Sequence, residues 1–183
     1  MAENKVHFGL KNLHYSVVTI STSGTATYAT PVAVPGAVSL EISRNETTNK
    51  FYADDIPYYI TYSSEGLSGT LEIANITEKM MTEIWGYTQN TDNVLQDNAD
   101  AEPKTVALLF EFDGDEQAKR YAFYRCVLQD PGVSSSTKTS STDPVTASIS
   151  FEATADESGH ARGETCASTS TTVYANWYSQ VYA

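Results

Sequence analysis

The chain has 183 residues, of which 11 are basic and 23 acidic, and its formal net charge is −12. This length fits one domain, or at most two small ones, and can bury a core without a metal or disulfide staple. The composition is that of a folded protein, and no apolar run approaches the roughly 20 residues of a membrane-spanning helix. The acidic balance argues against a protein that reads nucleic-acid sequence, because such binding needs Lys and Arg against the phosphates.

The N-terminus and the cysteines bear on the cellular compartment. Residues 1–7 have no apolar stretch behind a basic flank, so the sequence predicts no secretory signal peptide. Cys126 and Cys166 are isolated and lack the paired spacing of a zinc site or a redox motif. We therefore expect two free thiols in a reducing compartment.

In the first half of the chain, apolar residues recur with a period of two, which predicts antiparallel strands. Residues 13–20 and 25–28, separated by Ser-Thr-Ser-Gly, indicate an opening hairpin. Two further strands are predicted around residues 38–42 and 67–73, where apolar and polar side chains alternate. Each is expected to turn one face to the core.

A short helix is predicted over residues 77–88. Thr77 can cap its N-terminus, and Glu78 suits the first turn. Met80, Met81, Ile84 and Trp85 follow at helical spacing, with Gly86 as a stop signal. Such a helix would cover one face of a sheet.

The second half predicts more strands. Residues 105–112 and 119–128 are apolar on both faces and flank an Asp-Gly turn, which indicates a central hairpin. Residues 145–153 alternate at every step, as in a half-buried strand. The predicted fold class is mainly β: an antiparallel β-sandwich or open barrel with one short flanking helix, in a single domain of residues 1–183.

Three segments lack this periodicity. Residues 44–57 are too long for a tight hairpin and too aromatic for a slack linker, and we expect a long protruding loop. Residues 132–144 are rich in Ser and Thr and predict an exposed loop. Residues 167–183 end in an aromatic cluster that does not favour solvent, and they are predicted to form a C-terminal arm.

The sequence holds no recognised catalytic or metal-binding motif. The three histidines, His7, His14 and His160, lie far apart and accompany no nucleophile motif. The densest acidic cluster is formed by Asp92, Asp97, Asp100 and Glu102, without the spacing and central glycine of a calcium loop. We expect neither enzyme activity nor a cofactor.

Six segments carry a family resemblance through their order along the chain. They are residues 9–13, 52–55, 66–73, 103–112 and 121–127, and the alternating strand from Val145. In this order they resemble the major tail proteins, or tail tube proteins, of long-tailed non-contractile (siphovirus-type) bacteriophages.

The resemblance implies a β-sandwich that assembles as hexameric rings, which stack into a hollow tube for genome delivery into the host. It implies a virion protein that assembles in the bacterial cytoplasm, without enzyme activity or membrane insertion. The implied partners are further copies of the chain and other tail proteins, such as the tape measure and the tail terminator. Phage DNA would pass through without sequence-specific binding.

Within this hypothesis, two sets of residues are candidates for function. Subunit contacts are expected at Phe51, Tyr52, Asp54 and Asp55 and at Tyr174, Trp177 and Tyr178. Glu41, Glu72 and Glu152 lie on the polar faces of alternating strands and are expected to line the lumen, because an acidic wall lets DNA slide. The alternatives are that both segments fold back onto their own domain, and that the three glutamates simply face solvent.

Two other functions stay open at this stage. One is a monomeric β-sandwich adhesin or glycan-binding module, and the other is a head–tail connector that forms a single ring. The size distribution of the purified protein separates these alternatives from a tube subunit.

Overall fold

The structure is a computed structural model that describes residues 4–133, 135 and 145–183. Most of the predicted 132–144 loop lies outside the described residues. Within them the chain forms eleven strands and two short helices. They are β1 (His7–Ile20), β2 (Ala26–Tyr28), β3 (Val32–Ala33), β4 (Ala37–Ala53), β5 (Ile56–Ile73), α1 (Glu78–Glu83), β6 (Thr88–Gln89), β7 (Leu95–Gln96), β8 (Val106–Gly114), β9 (Lys119–Leu128), β10 (Ala147–Thr154), β11 (Arg162–Glu164) and α2 (Thr171–Ala175).

Nine strands form one antiparallel sheet in the order β2-β1-β8-β9-β10-β5-β4, with β3 beside β1 and β11 beside β9. β6 and β7 pair separately as a small hairpin. β1 and β4 stand near opposite ends of this order, yet they approach each other, which means that the sheet curls. The predicted mainly β, antiparallel, sandwich-like fold is confirmed.

The inner face of the curled sheet encloses the main hydrophobic core. On β5 and β10, the alternation predicted from sequence sends Leu71 and Ile73 inward beside Ile149 and Phe151. All four side chains are buried, and their polar neighbours along the strands face the other way. The predicted central hairpin is β8 and β9, which stand in the middle of the sheet.

Helix α1 packs against this core. The Thr77 hydroxyl accepts a hydrogen bond from the Met80 N–H at 3.2 Å, as an N-cap does. Met80, Ile84 and Trp85 are buried in the core, and the Trp85 Nε1–H donates to the Leu128 carbonyl at 3.0 Å. The predicted helix is therefore in place but ends at Glu83, earlier than the predicted residue 88.

The structure corrects two sequence predictions. Residues 44–57 form no loop, because β4 and β5 continue through them as one long hairpin. A second helix, α2, occurs in the C-terminal segment, where the sequence predicts only an arm. Its signal is one capping residue, Ser170, whose hydroxyl accepts a hydrogen bond from the Val173 N–H at 3.3 Å. Neither helix in the described residues is long and apolar enough to span a membrane.

Candidate functional site

The outer halves of β4 and β5 form an arm, residues 44–65, that extends past the rest of the sheet. Within the described part of the chain, β10 pairs with β5 along residues 67–73, and beyond this point the one strand paired with β5 is β4. At about 3.4 Å per residue, ten residues of strand reach roughly 30 Å. The arm is therefore a two-stranded ribbon that gains little support from the hydrophobic core.

The arm ends in a two-residue turn formed by Asp54 and Asp55. Their φ angles are 51° and 61°, so both residues have the left-handed conformation that a type I′ hairpin turn requires. Aspartate tolerates this conformation better than most residues. The turn leaves two exposed carboxylates at the far end of the arm.

Large apolar side chains occupy both faces of the arm near this tip. Phe51 pairs with Tyr59 on one face, and each is 62% exposed. The neighbouring pairs bring Ile60 and Tyr62 to the opposite face, where Tyr62 is 73% exposed. Exposed apolar surface of this kind marks an interaction site, and an isolated two-stranded ribbon is marginally stable without one.

The structure therefore extends the candidate residues of this segment. Phe51, Tyr52, Asp54 and Asp55 all lie in the outermost part of the arm. The returning strand, which was not predicted from the sequence, adds further exposed side chains. They are Ile56, Tyr58, Tyr59, Ile60 and Tyr62. The signal was available in the Tyr-Tyr-Ile-Thr-Tyr run directly after Pro57.

The three glutamates of the predicted lumen share one face of the sheet. Glu41 is paired with Thr70, Glu72 with Ser39 and Ser148, and Glu152 with Ser68. These positions alternate with buried side chains on β5 and β10 and with the partly buried Leu40 and Ile42 on β4, so all three carboxylates lie on the outer face. Their neighbours there are mainly Ser and Thr, and the Ser39 hydroxyl donates to Glu72 Oε2 at 2.8 Å. We call this surface the acidic face.

The C-terminal aromatic residues lie elsewhere and are largely used within the chain. Trp177 is 3% exposed and packs with Leu109, Ala122 and Tyr124 on the outer face of β8 and β9. The Tyr178 ring stacks on His14, with ring centroids 4.6 Å apart. The segment folds back onto its own domain, the alternative that the sequence left open, and buries Trp177, while Tyr174 and Tyr178 are only partly buried. It also explains why β8 and β9 are apolar on both faces.

An ion pair anchors this C-terminal segment. Glu111 accepts hydrogen bonds from Arg120 Nε at 3.0 Å and from the Tyr178 hydroxyl at 3.1 Å. Asn12 Nδ2 donates to the other carboxylate oxygen of Glu111 at 2.6 Å. The Arg120 guanidinium stacks on the Tyr174 ring at 3.8 Å and also donates to the Tyr174 carbonyl. Burial, together with the adjacent Glu111 carboxylate, raises the pKa of Tyr178, so its hydroxyl stays a donor at physiological pH.

The remaining candidates for chemistry do not converge on a site. Cys126 and Cys166 are free thiols, as predicted. Cys126 is buried, whereas hydrogen bonds with Ser168 and Thr169 lower the pKa of the exposed Cys166 to about 7. The His7 ring contacts the Phe112 ring in a tilted arrangement, and His7 pairs with Gly114 at the end of β8. Across the described residues, no three His, Cys, Asp or Glu side chains are placed to hold a metal ion.

Comparison with known proteins gives no family assignment. Neither the protein-family models nor the curated proteins include a match to this chain.

Proposed function

We propose that this protein is a structural subunit that polymerises into the tail tube of a long-tailed, non-contractile bacteriophage. In this proposal the subunits form hexameric rings, and the stacked rings conduct the genome into the host. The main support for this proposal is the arm, whose apolar side chains are exposed. A ribbon with apolar side chains exposed on both faces needs covering surfaces, and a second copy of the chain can supply them in every subunit of a polymer.

Contacts of this kind are heterologous, since the arm of one subunit meets a different surface on the next. Heterologous contacts close into rings when the rotation between subunits closes, and otherwise they continue as filaments. In a tube of stacked rings, the contacts around the axis close each ring, and the contacts along the axis continue as in a filament. The same proposal includes contacts with a tape measure and a tail terminator, residence in the virion, no enzyme activity, and no sequence-specific contact with DNA.

A second candidate rests on the exposed tyrosines. Tyr58, Tyr59 and Tyr62 offer rings on which sugars could stack, as in a monomeric glycan-binding module. That function requires only the aromatic surface and no self-association. A head–tail connector would also use the arm but would stop at one ring.

Negative-stain electron microscopy of the purified protein at high concentration, with and without added salt, tests the proposal. Hollow tubes support the tail-tube function, single rings support the connector, and monomers under every condition favour the glycan-binding module. The matched variant replaces residues 48–62 with Asn-Gly, which joins the paired residues Thr47 and Ser63 by a hairpin turn. We expect this variant to fold but not to form tubes, and tubes without the arm would contradict its assigned role.

A further inference from the structure

The arm tip and helix α1 lie at opposite ends of one strand. β5 begins at Ile56, directly after the acidic tip, and ends at Ile73, five residues before α1. Its 18 residues span on the order of 55 Å. A surface beside α1 is therefore out of reach of the arm of its own chain. In a head-to-tail arrangement, however, the tip of one subunit points towards this end of the next.

A groove of about 650 Å³ lies beside α1. Its walls combine apolar side chains with two lysines and one glutamate; they include Val17, Pro31, Val32, Lys79, Glu83 and Lys104. Glu83 is already engaged, since it accepts a hydrogen bond from the Tyr15 hydroxyl at 2.7 Å and lies 3.8 Å from the Lys79 ammonium. The groove therefore offers apolar surface together with a net positive charge.

Basic side chains without an ion-pair partner are uncommon among the described residues. Seven of the basic side chains in the described residues have a carboxylate within ion-pair distance; they are Lys11, Arg44, Lys79, Lys119, Arg120, Arg125 and Arg162. In this described part, Lys5, Lys50 and Lys104 have none. Lys50 belongs to the arm, and Lys5 lies beside the acidic turn at Asp115. Lys104 is the remaining unpaired cation, and it lines the groove.

We propose that the acidic tip of the arm, Asp54 and Asp55, docks beside Lys104 and Lys79 in the groove of a second copy of this chain. The apolar residues next to the tip, Phe51 and Ile56, would then meet Val17 and Val32 of the groove. Complementary charges fix register and exclude wrong partners more than they add affinity. This inference rests on the proposed self-assembly and adds to it the acceptor surface and the direction of the contact.

Chemical cross-linking of the assembled wild-type protein tests the contact directly. A carbodiimide joins a carboxylate to an adjacent ammonium without a spacer, and a mixture of ¹⁴N- and ¹⁵N-labelled chains identifies links between copies by mass. We expect mixed-isotope peptides that join Asp54 or Asp55 to Lys104 or Lys79. Assembled protein in which the tip is linked to other lysines would place the acceptor surface elsewhere.

A double-mutant cycle provides the second readout. Lys104→Glu should raise the critical concentration for assembly about tenfold, and Lys5→Glu, with the same change of charge, should raise it much less. Asn-Gly in place of Asp54-Asp55 keeps the turn but removes both charges. In that background Lys104→Glu should have little further effect, because contacting residues are not additive. Additive effects in protein that still assembles would overturn the contact alone, whereas a wild type that never assembles would overturn the proposed function and the contact together.

Discussion

The side chain of Glu111 places a carboxylate between the central hairpin and the C-terminal segment, where it is only 8% exposed. A buried charge is tolerated when its partners replace water, and Arg120, Asn12 and Tyr178 do so here. Removing one partner leaves the charge uncompensated. The stability of the segment therefore depends more on Arg120 than on the surface ion pairs.

We predict that Arg120→Met lowers the free energy of unfolding by about 3 kcal/mol or more, since it leaves the buried Glu111 carboxylate without its cationic partner. The adjacent Lys119 pairs with Glu164, but both side chains are more than a third exposed, so Lys119→Met should cost about 0–1 kcal/mol. Urea unfolding of the two variants measures the difference. Equal losses would mean that the Glu111 network does not hold the segment.

Gly66 lies at the base of the arm, where neither the backbone conformation nor the available space suits a side chain. Its φ is 109°, and an added Cβ would stand 2.7 Å from the Ala153 carbonyl oxygen, which belongs to the backbone of β10. Both the left-handed conformation and the contact require glycine. Gly24 has a similar φ of 88°, but no atom of the described residues lies within 4 Å of an added Cβ.

Gly66→Ala should therefore destabilise the domain by about 2 kcal/mol or more, and Gly24→Ala by less, because only the first adds a clash to the backbone strain. Thermal unfolding of both variants separates the two effects. A melting temperature that falls equally in both would show that the approach of β10 to Gly66 is not a tight constraint.

At the scale of elements, the strands that touch the core could be predicted from sequence, and the arm could not. Leu71, Ile73, Ile149 and Phe151 alternate with polar residues because one face of their strands is buried. Along residues 44–50 this alternation disappears, since neither face of the arm meets the core. The remaining signals for a hairpin were the Asp-Asp turn, the threonines and the Tyr-Tyr-Ile-Thr-Tyr run after Pro57.

The two aromatic segments differ for a similar reason. Residues 173–178 are rich in aromatic side chains, as the arm is, and composition alone predicts subunit contacts for both segments. Only tertiary structure separates them, because the outer face of β8 and β9 offers an apolar surface that Trp177 covers. Among the residues that the structure describes, none offers such a surface to the distal arm.

We predict that Tyr58→Ser with Tyr62→Thr reduces assembly strongly while leaving the melting temperature within about 2 °C of the wild type. Both side chains are more than 70% exposed, so the isolated domain loses little packing. Phe8→Ser is the matched control, since Phe8 is 58% exposed but lies outside the arm. Sedimentation gives the assembled fraction, and equal effects of the two changes would argue against an interface on the arm.

For the whole molecule, a net charge of −12 means that copies repel one another at low ionic strength. Salt screens charges separated by more than about 8 Å at physiological ionic strength. We predict that raising the salt concentration from about 50 mM to about 500 mM, that is, from below to above physiological ionic strength, lowers the critical concentration for assembly. Light scattering measures it, and assembly that salt leaves unchanged or suppresses would mean that interface ion pairs outweigh the general repulsion.

The acidic face has a separate consequence if it lines the proposed tube. Duplex DNA carries one negative charge per about 1.7 Å of its axis, so a lumen with basic side chains would hold it through many phosphate contacts. The three glutamates lie on one continuous surface of β4, β5 and β10, where Ser and Thr supply most of the other side chains. Such a surface repels DNA close to the wall and offers few groups that would retain it.

We predict that tubes carrying Glu41→Lys, Glu72→Lys and Glu152→Lys still assemble but retain duplex DNA, and that genome ejection from a virion built with them is slower. Retention should weaken as salt increases, as phosphate contacts do. Asp92→Lys, Glu102→Lys and Glu116→Lys change the net charge equally at exposed positions off this face. Co-sedimentation of DNA with both kinds of tube compares them. If the control tubes retain as much DNA as the first set, net charge alone governs passage, and the acidic face does not line the channel.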